Sequence, residues 1–308
     1  MLRFTFLILL VGFTFLQAMA QEFIPLWPKG KMPNSKGMNL KDSIANERVY
    51  RVGTPGMYAF LPSAQENKGG AVIICPGGGY ERLAYVISGT QLAKWFNTMG
   101  MSAFVLNYRL PNSPDLKQRE LGPLQDVQRA IRVVRANASK WGIKGDKIGV
   151  QGSSAGGHLA AMAGTQTNDV SAIGDSLNAI SFRPDFMILV SPVINLGPYA
   201  HAGSRKNLLG EDASSELIEK FSQETQVTST TPPAFLVHAF NDKTVSARNS
   251  LLFYGALLEK GVSASLHIFP QGGHAIALRN NPGSTEQWTS LCEAWMIEMG
   301  IIPQTLNK

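Results

Sequence analysis

The segment AVIIC, residues 71–75, is apolar at every position and runs straight into PGGGY. A continuous apolar run this short, closed by turn residues, suits a strand buried on both faces of a parallel sheet. Such a strand needs helices on either side of it, and the rest of the chain supplies them. The strand-like runs SAFVLNY (102–108), KIGVQ (147–151), DFMILVS (185–191), AFLVHAF (234–240) and ASLHIFP (264–270) alternate with segments read as helices at 91–98, 124–141, 156–163, 248–260 and 287–299. Within 124–141, Val127, Ala130, Ile131 and Val134 recur at helical spacing. RVYRVG and MYAFLP, split by a Thr-Pro-Gly turn, precede them as short strands. The alternation predicts an α/β fold, a mostly parallel sheet with helices on both faces.

With 308 residues, 44% of them hydrophobic, the chain has ample material for one large globular domain. No internal repeat or break in composition divides it. Residues 1–20, MLRFTFLILLVGFTFLQAMA, have a single early arginine, an apolar stretch and an Ala-Met-Ala end. This is the pattern of a secretory signal peptide cut before Gln21, which predicts export to the periplasm or the medium and no stable membrane insertion afterwards. A retained membrane anchor is the alternative. Residues 21–47, rich in Pro, Gly, Lys and Asn, read as an N-terminal arm lying over a catalytic domain at 48–308. Residues 191–231 break the strand–helix rhythm and read as an insertion, a cap or pocket wall over the sheet's edge.

The formal charge of +6 is scattered, with no basic run interleaved with aromatics, so nucleic-acid binding is not expected. Two cysteines, Cys75 and Cys292, do not make a disulfide scaffold, and their pairing stays open. The five histidines are dispersed and two cysteines cannot bind zinc alone, so no metal is expected.

Chemistry concentrates in IGVQGSSAGGHLAAMAG, residues 148–164. A phosphate loop would need a lysine after its second glycine, and a dinucleotide loop would need Gly-x-Gly-x-x-Gly; neither is present. What remains is Gly-x-Ser-x-Gly between a strand and a helix, the sharp turn that lifts a nucleophilic serine clear of a sheet. Side chains two residues before and after the nucleophile would collide in such a turn, so glycine belongs at both places. For Ser154 those places are Gly152 and Gly156; for Ser153 they would be Gln151 and Ala155. Ser154 is the candidate nucleophile.

A serine hydroxyl needs a base to take its proton. With the serine on a strand-to-helix elbow, the partners follow in the order Ser, Asp or Glu, His, in loops past later strands. Asp242, just beyond AFLVHAF, and His274, in a glycine-bearing loop beyond ASLHIFP, meet that requirement at the sheet's carboxyl edge. His238 and His267 lie within strands and read as core residues; His158 reads as a packing or capping residue. Asp185 precedes its strand, at the wrong end of the sheet, and Asn241 lacks the charge to orient a histidine. Backbone N–H donors for a developing oxyanion are expected from Ala155, at a helix N-terminus, and from the glycines after AVIIC, of which Gly78 and Gly79 are favoured over Gly77.

Taken together, PGGGY, GSSAGGHLA, HAFNDKTV and GGHAI resemble the bacterial exported α/β-hydrolase esterases described as acetylxylan esterases and, more distantly, the hormone-sensitive-lipase-like esterases. The likeness runs from about Ile74 through Trp295. It departs from the lipase-like pattern at Pro76, which stands where that loop has histidine, and NDKTVS departs from the commoner Asp-Asp-x-Val-Pro form. The resemblance implies an α/β-hydrolase fold and a serine esterase, free of metal and organic cofactor, that removes acetyl groups from plant cell-wall polysaccharide or its fragments. The alternatives are a serine peptidase of the same fold, a general short-chain carboxylesterase, or a non-catalytic sugar-binding protein on the same scaffold. Tyr80, Arg82, His201 and Arg205 are the candidate substrate contacts. The acylated position and the oligomeric state are not legible.

Overall fold

The computed structural model describes residues 21–274 and 276–304. The expected signal peptide, residues 1–20, therefore lies outside the described residues. Ten strands form: β1 (Phe23–Pro25), β2 (Ser43–Ala45), β3 (Arg48–Arg51), β4 (Gly56–Phe60), β5 (Ala71–Cys75), β6 (Ser102–Asn107), β7 (Ile148–Ser153), β8 (Met187–Val190), β9 (Ala234–Ala239) and β10 (Ala264–Phe269). Seven α-helices accompany them: α1 (Gln91–Thr98), α2 (Leu121–Ala136), α3 (Ala155–Thr165), α4 (Ala202–Leu209), α5 (Ser215–Phe221), α6 (Arg248–Glu259) and α7 (Trp288–Glu298).

Eight strands make one sheet in the order β1-β4-β6-β5-β7-β8-β9-β10. Its β6-to-β10 side is parallel throughout, and β4 and β1 close the other edge antiparallel. The order turns back on itself at β5 and β7, so loops from both run out at the same carboxyl edge, which is where an α/β sheet gathers a site. Period-two alternation sorts the buried strand residues into two cores. Ile73, Phe104, Val150, Leu189 and Leu236 pack with residues of α2, α3 and α6; Ile74, Val105, Ile188, Val190 and Val237 pack with those of α1 and α7. Cys75 belongs to the first core and Cys292 to the second, and both are free and buried. A disulfide between them is thereby ruled out in this fold.

Two stretches differ from the expectation. Residues 21–47 are not simply draped over a domain: β1 extends the main sheet by pairing with β4, while β2 pairs with β3 in a separate hairpin. Trp27 is buried, donating from Nε1 to Asp126 on α2 at 2.8 Å. Residues 191–231 are more ordered than their broken rhythm suggested. They hold α4, α5 and a short 3-10 turn, and Leu196, Leu208, Phe221 and Val227 enter the first core. Helix α2 also starts three residues before the expected point and stops at Ala136, with a 3-10 turn at Ser139–Trp141. Its arginines tie down the connection between α3 and β8: Arg129, Arg132 and Arg135 pair with Asp175, Asp169 and Asp185 at 2.5, 2.7 and 2.8 Å.

Candidate active site

Strand β7 passes into α3 through Ser154, whose φ of 57° and ψ of −123° lie in a region that side chains avoid. Holding a residue there costs roughly 1–3 kcal/mol and requires the surroundings to over-determine it. They do so through three backbone hydrogen bonds. Ser154 donates its N–H to Val190 at 3.0 Å, and its carbonyl accepts from Val193 and His158. The flanking glycines are obligatory. A Cβ on Gly152 would lie 2.0 Å from the Gly156 carbonyl oxygen, and one on Gly156 would lie 2.0 Å from the Cys75 carbonyl oxygen. The second clash is thus with the end of β5 rather than across the turn itself.

Past β9, Asp242 is 8% exposed, and its Oδ1 accepts from the backbone N–H groups of Thr244 and Val245 at 2.8 and 2.9 Å. Past β10, His274 reaches back to it, with Nδ1 2.7 Å from Asp242 Oδ2 and Nε2 2.9 Å from Ser154 Oγ. A carboxylate can only accept, so Nδ1 carries the proton and Nε2 is free to receive the Ser154 hydroxyl. The His274 loop is steadied by Gly273, which donates its N–H to Asn241 Oδ1 at 2.8 Å. Burial alone would raise the Asp242 carboxyl, but hydrogen bonds from His238, His274 and the Val245 N–H hold it well below the usual carboxylate range. It stays charged throughout the neutral range.

Its place within a strand predicts a core residue at His238, and it is fully buried. Its Nε2 also lies 2.9 Å from the Val245 carbonyl and 3.2 Å from Asp242 Oδ2, while Nδ1 accepts from Ser250 Oγ at 2.8 Å. Asp242 therefore sits between two histidines. The signal for the second was the i, i+4 spacing of His238 and Asp242 across the end of a strand.

The glycine loop after β5 is pinned at nearly every polar atom. Gly77 donates to Ser88 Oγ, the Gly78 carbonyl accepts from Glu81 and Arg82, and the Gly79 carbonyl accepts from Asn207. Tyr108 Oη donates to the Pro76 carbonyl at 2.8 Å. Among the described residues the N–H groups of Gly78 and Gly79 have no protein partner, and both glycines line the cleft at Ser154. Ala155 opens α3, so its N–H has no intrahelical acceptor.

That cleft has a cavity volume of about 490 Å³ and a lining of two unlike sets of residues. One is apolar: Ile87, Leu92, Val190, Ile276, Leu278 and Trp288. The other is polar: Arg48, Glu81, Arg82, His201, Asn207 and Thr244. Of the four candidate contacts, the structure brings Arg82 and His201 to the cleft. Arg82 pairs with Glu81 at 2.6 Å, and His201 caps α4 by accepting from the Ser204 N–H. Burial, followed by the proximity of His274, pushes the His201 imidazole down.

The other two candidates are corrected. Tyr80, with φ 59°, turns inward, is fully buried and hydrogen-bonds His158 Nδ1 at 2.8 Å. Arg205 lies away from the cleft, with its guanidinium toward the Leu196 carbonyl. Arg48, Asn207 and the apolar wall went unforeseen because they arrive from segments remote in sequence.

His158 couples two regions. Its Nε2–H donates to the Phe221 carbonyl at 2.7 Å and its Nδ1 accepts from Tyr80, joining the glycine loop to the 191–231 segment. Burial pushes its pKa down to about 4.

A family model, BD-FAE, matches residues 57–257. The chain belongs to the BD-FAE family. An acetylxylan esterase of Xylanibacter ruminicola is 35% identical over 72% of this chain, and endo-1,4-beta-xylanase B of Butyrivibrio fibrisolvens is 34% identical over 81% of it. The chain spans less than half the length of either relative, 44% and 40% respectively. The acetyl ester-xyloside bifunctional hydrolase of Caldicellulosiruptor lactoaceticus matches in structure with a TM-score of 0.79 at 37% identity, covering 92% of this chain and 97% of that one. A Thermogutta terrifontis esterase, at 23% identity and a TM-score of 0.68, shares the fold over 90% of this chain and 98% of its own. This BD-FAE member thus has the α/β-hydrolase fold expected from its motifs.

Proposed function

We propose that the chain is a serine carboxylic-ester hydrolase that removes acetyl groups from xylan or its oligosaccharides. The observation that carries this reading is the continuous hydrogen-bond path from Ser154 through His274 to Asp242, at 2.9 and 2.7 Å. Ser154 Oγ attacks the ester carbonyl while His274 Nε2 takes its proton; Asp242 balances the imidazolium that results. The N–H groups of Gly78, Gly79 and Ala155 receive the oxyanion, positioned before the reaction rather than recruited during it. His274 then protonates the departing sugar oxygen, and water releases acetate from the acyl-enzyme by the same route. The acetyl specificity draws its support from the acetyl esters named for the Xylanibacter and Caldicellulosiruptor proteins.

The test is acetate release from acetylated xylo-oligosaccharides and from a chromogenic aryl acetate, for wild type and Ser154→Ala. The variant should stay folded and lose on the order of 10⁴-fold or more in kcat. Equal turnover of the aryl acetate by both proteins would end the mechanism. Aryl acetate turnover without acetate from the glycan would end only the substrate assignment. Export follows from the signal-like residues 1–20, and N-terminal sequencing of the exported protein should begin at Gln21.

A further inference from the structure

The hairpin of β2 and β3 has a feature that the ester chemistry does not require. Its two-residue loop, Asn46 and Glu47, has φ of 48° and 61°, although glutamate is a poor occupant of that region. In its ladder Ser43 faces Arg51 and Ile44 faces Val49, so Tyr50 is an extra, bulged residue. Bulges of this kind re-aim a side chain and recur beside active sites. Here Tyr50 is 39% exposed and, with Arg51, lines a second cavity of about 180 Å³. Arg48, at the other end of the strand, lines the cleft at Ser154. Only Val49 stands between Arg48 and Tyr50, so the two cavities meet at one short strand.

Both sides of the second cavity are fixed. The hairpin is bridged at Val49 to Leu83, a few residues beyond the glycine loop. The facing turn is anchored by Asp115, which accepts from Ser35 Oγ and from the N–H groups of Lys36 and Met38. The floor is buried Val52 and Leu110. The side chains of Ser43, Asn112 and Ser113 line the cavity and have no protein partner among the described residues. An exposed aromatic ring, buried apolar residues and solvent-facing hydroxyl and amide groups form the chemistry that holds a pyranose. The ring meets its C–H face, and the polar groups meet its hydroxyls. An acyl chain would find too many polar atoms there.

We infer that this second cavity is a glycan subsite, in which Tyr50 carries a sugar unit of the same chain whose ester lies at Ser154. The inference rests on the esterase reading and extends it from a small ester to a polymer bound across the hairpin.

The experiment compares Tyr50→Ala and Asn112→Ala, from two separate segments of the lining, with wild type. Turnover is measured on a small aryl acetate and on acetylated xylo-oligosaccharides of increasing length. Binding of unacetylated xylohexaose to the same variants in a Ser154→Ala background is measured by calorimetry. Tyr50→Ala should raise KM for the long oligosaccharides and weaken xylohexaose binding by about tenfold, with aryl acetate turnover unchanged. Asn112→Ala should act in the same direction and less strongly. Wild-type xylohexaose affinity and oligosaccharide KM in both variants would overturn the subsite. Should Tyr50→Ala disturb the hairpin and lose aryl acetate turnover as well, Asn112→Ala, outside the hairpin, decides the same question. A wild type inert toward aryl acetate would instead refute the esterase reading, while the binding measurement still tests the subsite.

Discussion

The turn at Ser154 and the polar rim of the cleft are built in opposite ways. At the turn, position is set by backbone: a strained φ, three main-chain hydrogen bonds, and two glycines with main-chain oxygens 2.0 Å from where a Cβ would stand. At the rim, position is set by side chains from β3, from the loop after β5 and from α4, and Arg82 and Glu81 hold each other in partial exposure. The first arrangement admits almost no substitution and, on the proposed reading, serves any ester. The second admits many, and it is where a choice among esters can be made without disturbing the chemistry.

The sharpest way to break that comparison is to add one methyl group to each region. Gly156→Ala puts a Cβ into the Cys75 carbonyl, and should cost about 3 kcal/mol of stability or more, together with at least ~10³-fold in aryl acetate turnover. Gly203→Ala, on the rim helix α4, meets the His201 ring at 3.2 Å and should cost under about 1 kcal/mol. Urea melts and steady-state rates check both. Similar losses at the two positions would erase the distinction.

A second test uses the residue that ties the regions together. His158 is neutral when folded, with its pKa pushed down to about 4, whereas an unfolded histidine titrates near 6.5. The unfolded chain therefore binds the extra proton first. The contribution of this site to stability is full above pH 6.5 and drains away as pH falls toward 4, by about 3 kcal/mol. Urea melts from pH 7 to 4.5 should show the decline, and His158→Gln should flatten it. An unchanged slope in the variant would assign acid sensitivity elsewhere.

A smaller effect is expected at His238, a positioning residue that acts through Asp242. His238→Phe keeps a buried ring but removes the donor 3.2 Å from the carboxylate. We expect kcat to fall about tenfold and the acid limb of the pH–rate profile to move up, because a carboxylate relieved of one donor stabilises the charged His274 ring more strongly. His238→Gln, which retains an N–H donor, should recover most of both. A profile unmoved in His238→Phe would leave the histidine a packing role only.

The same contrast explains what could be read in the sequence. Glycine spacing pointed to Ser154 rather than Ser153 as the residue on the elbow because both flanking glycines are required sterically, Gly152 within the turn and Gly156 against the end of β5. The strands were legible because burial on both faces leaves β5 no polar position and β9 only His238. Tyr80 misled because adjacency to the glycine loop is not adjacency to the cleft; a positive φ turns it inward, toward His158. Arg205 misled for a similar reason, since only one side of α4 faces the cleft. Arg48 and Trp288 left no sequence signal, because a β3 hairpin and a C-terminal helix meet at Ser154 only through the finished fold. The helices of 191–231 were hidden by a mean polarity that suits their exposed faces, while Leu208, Leu209 and Phe221 carry their apolar burial.

On the proposed mechanism the turn makes Ser154, and not its neighbour Ser153, the nucleophile. Intact-mass and peptide mapping after treatment with a serine-directed fluorophosphonate tests it most directly. One adduct is expected, on Ser154, absent in Ser154→Ala and formed much more slowly in His274→Ala. An adduct on Ser153, or labelling of Ser154→Ala at the wild-type rate, would contradict it.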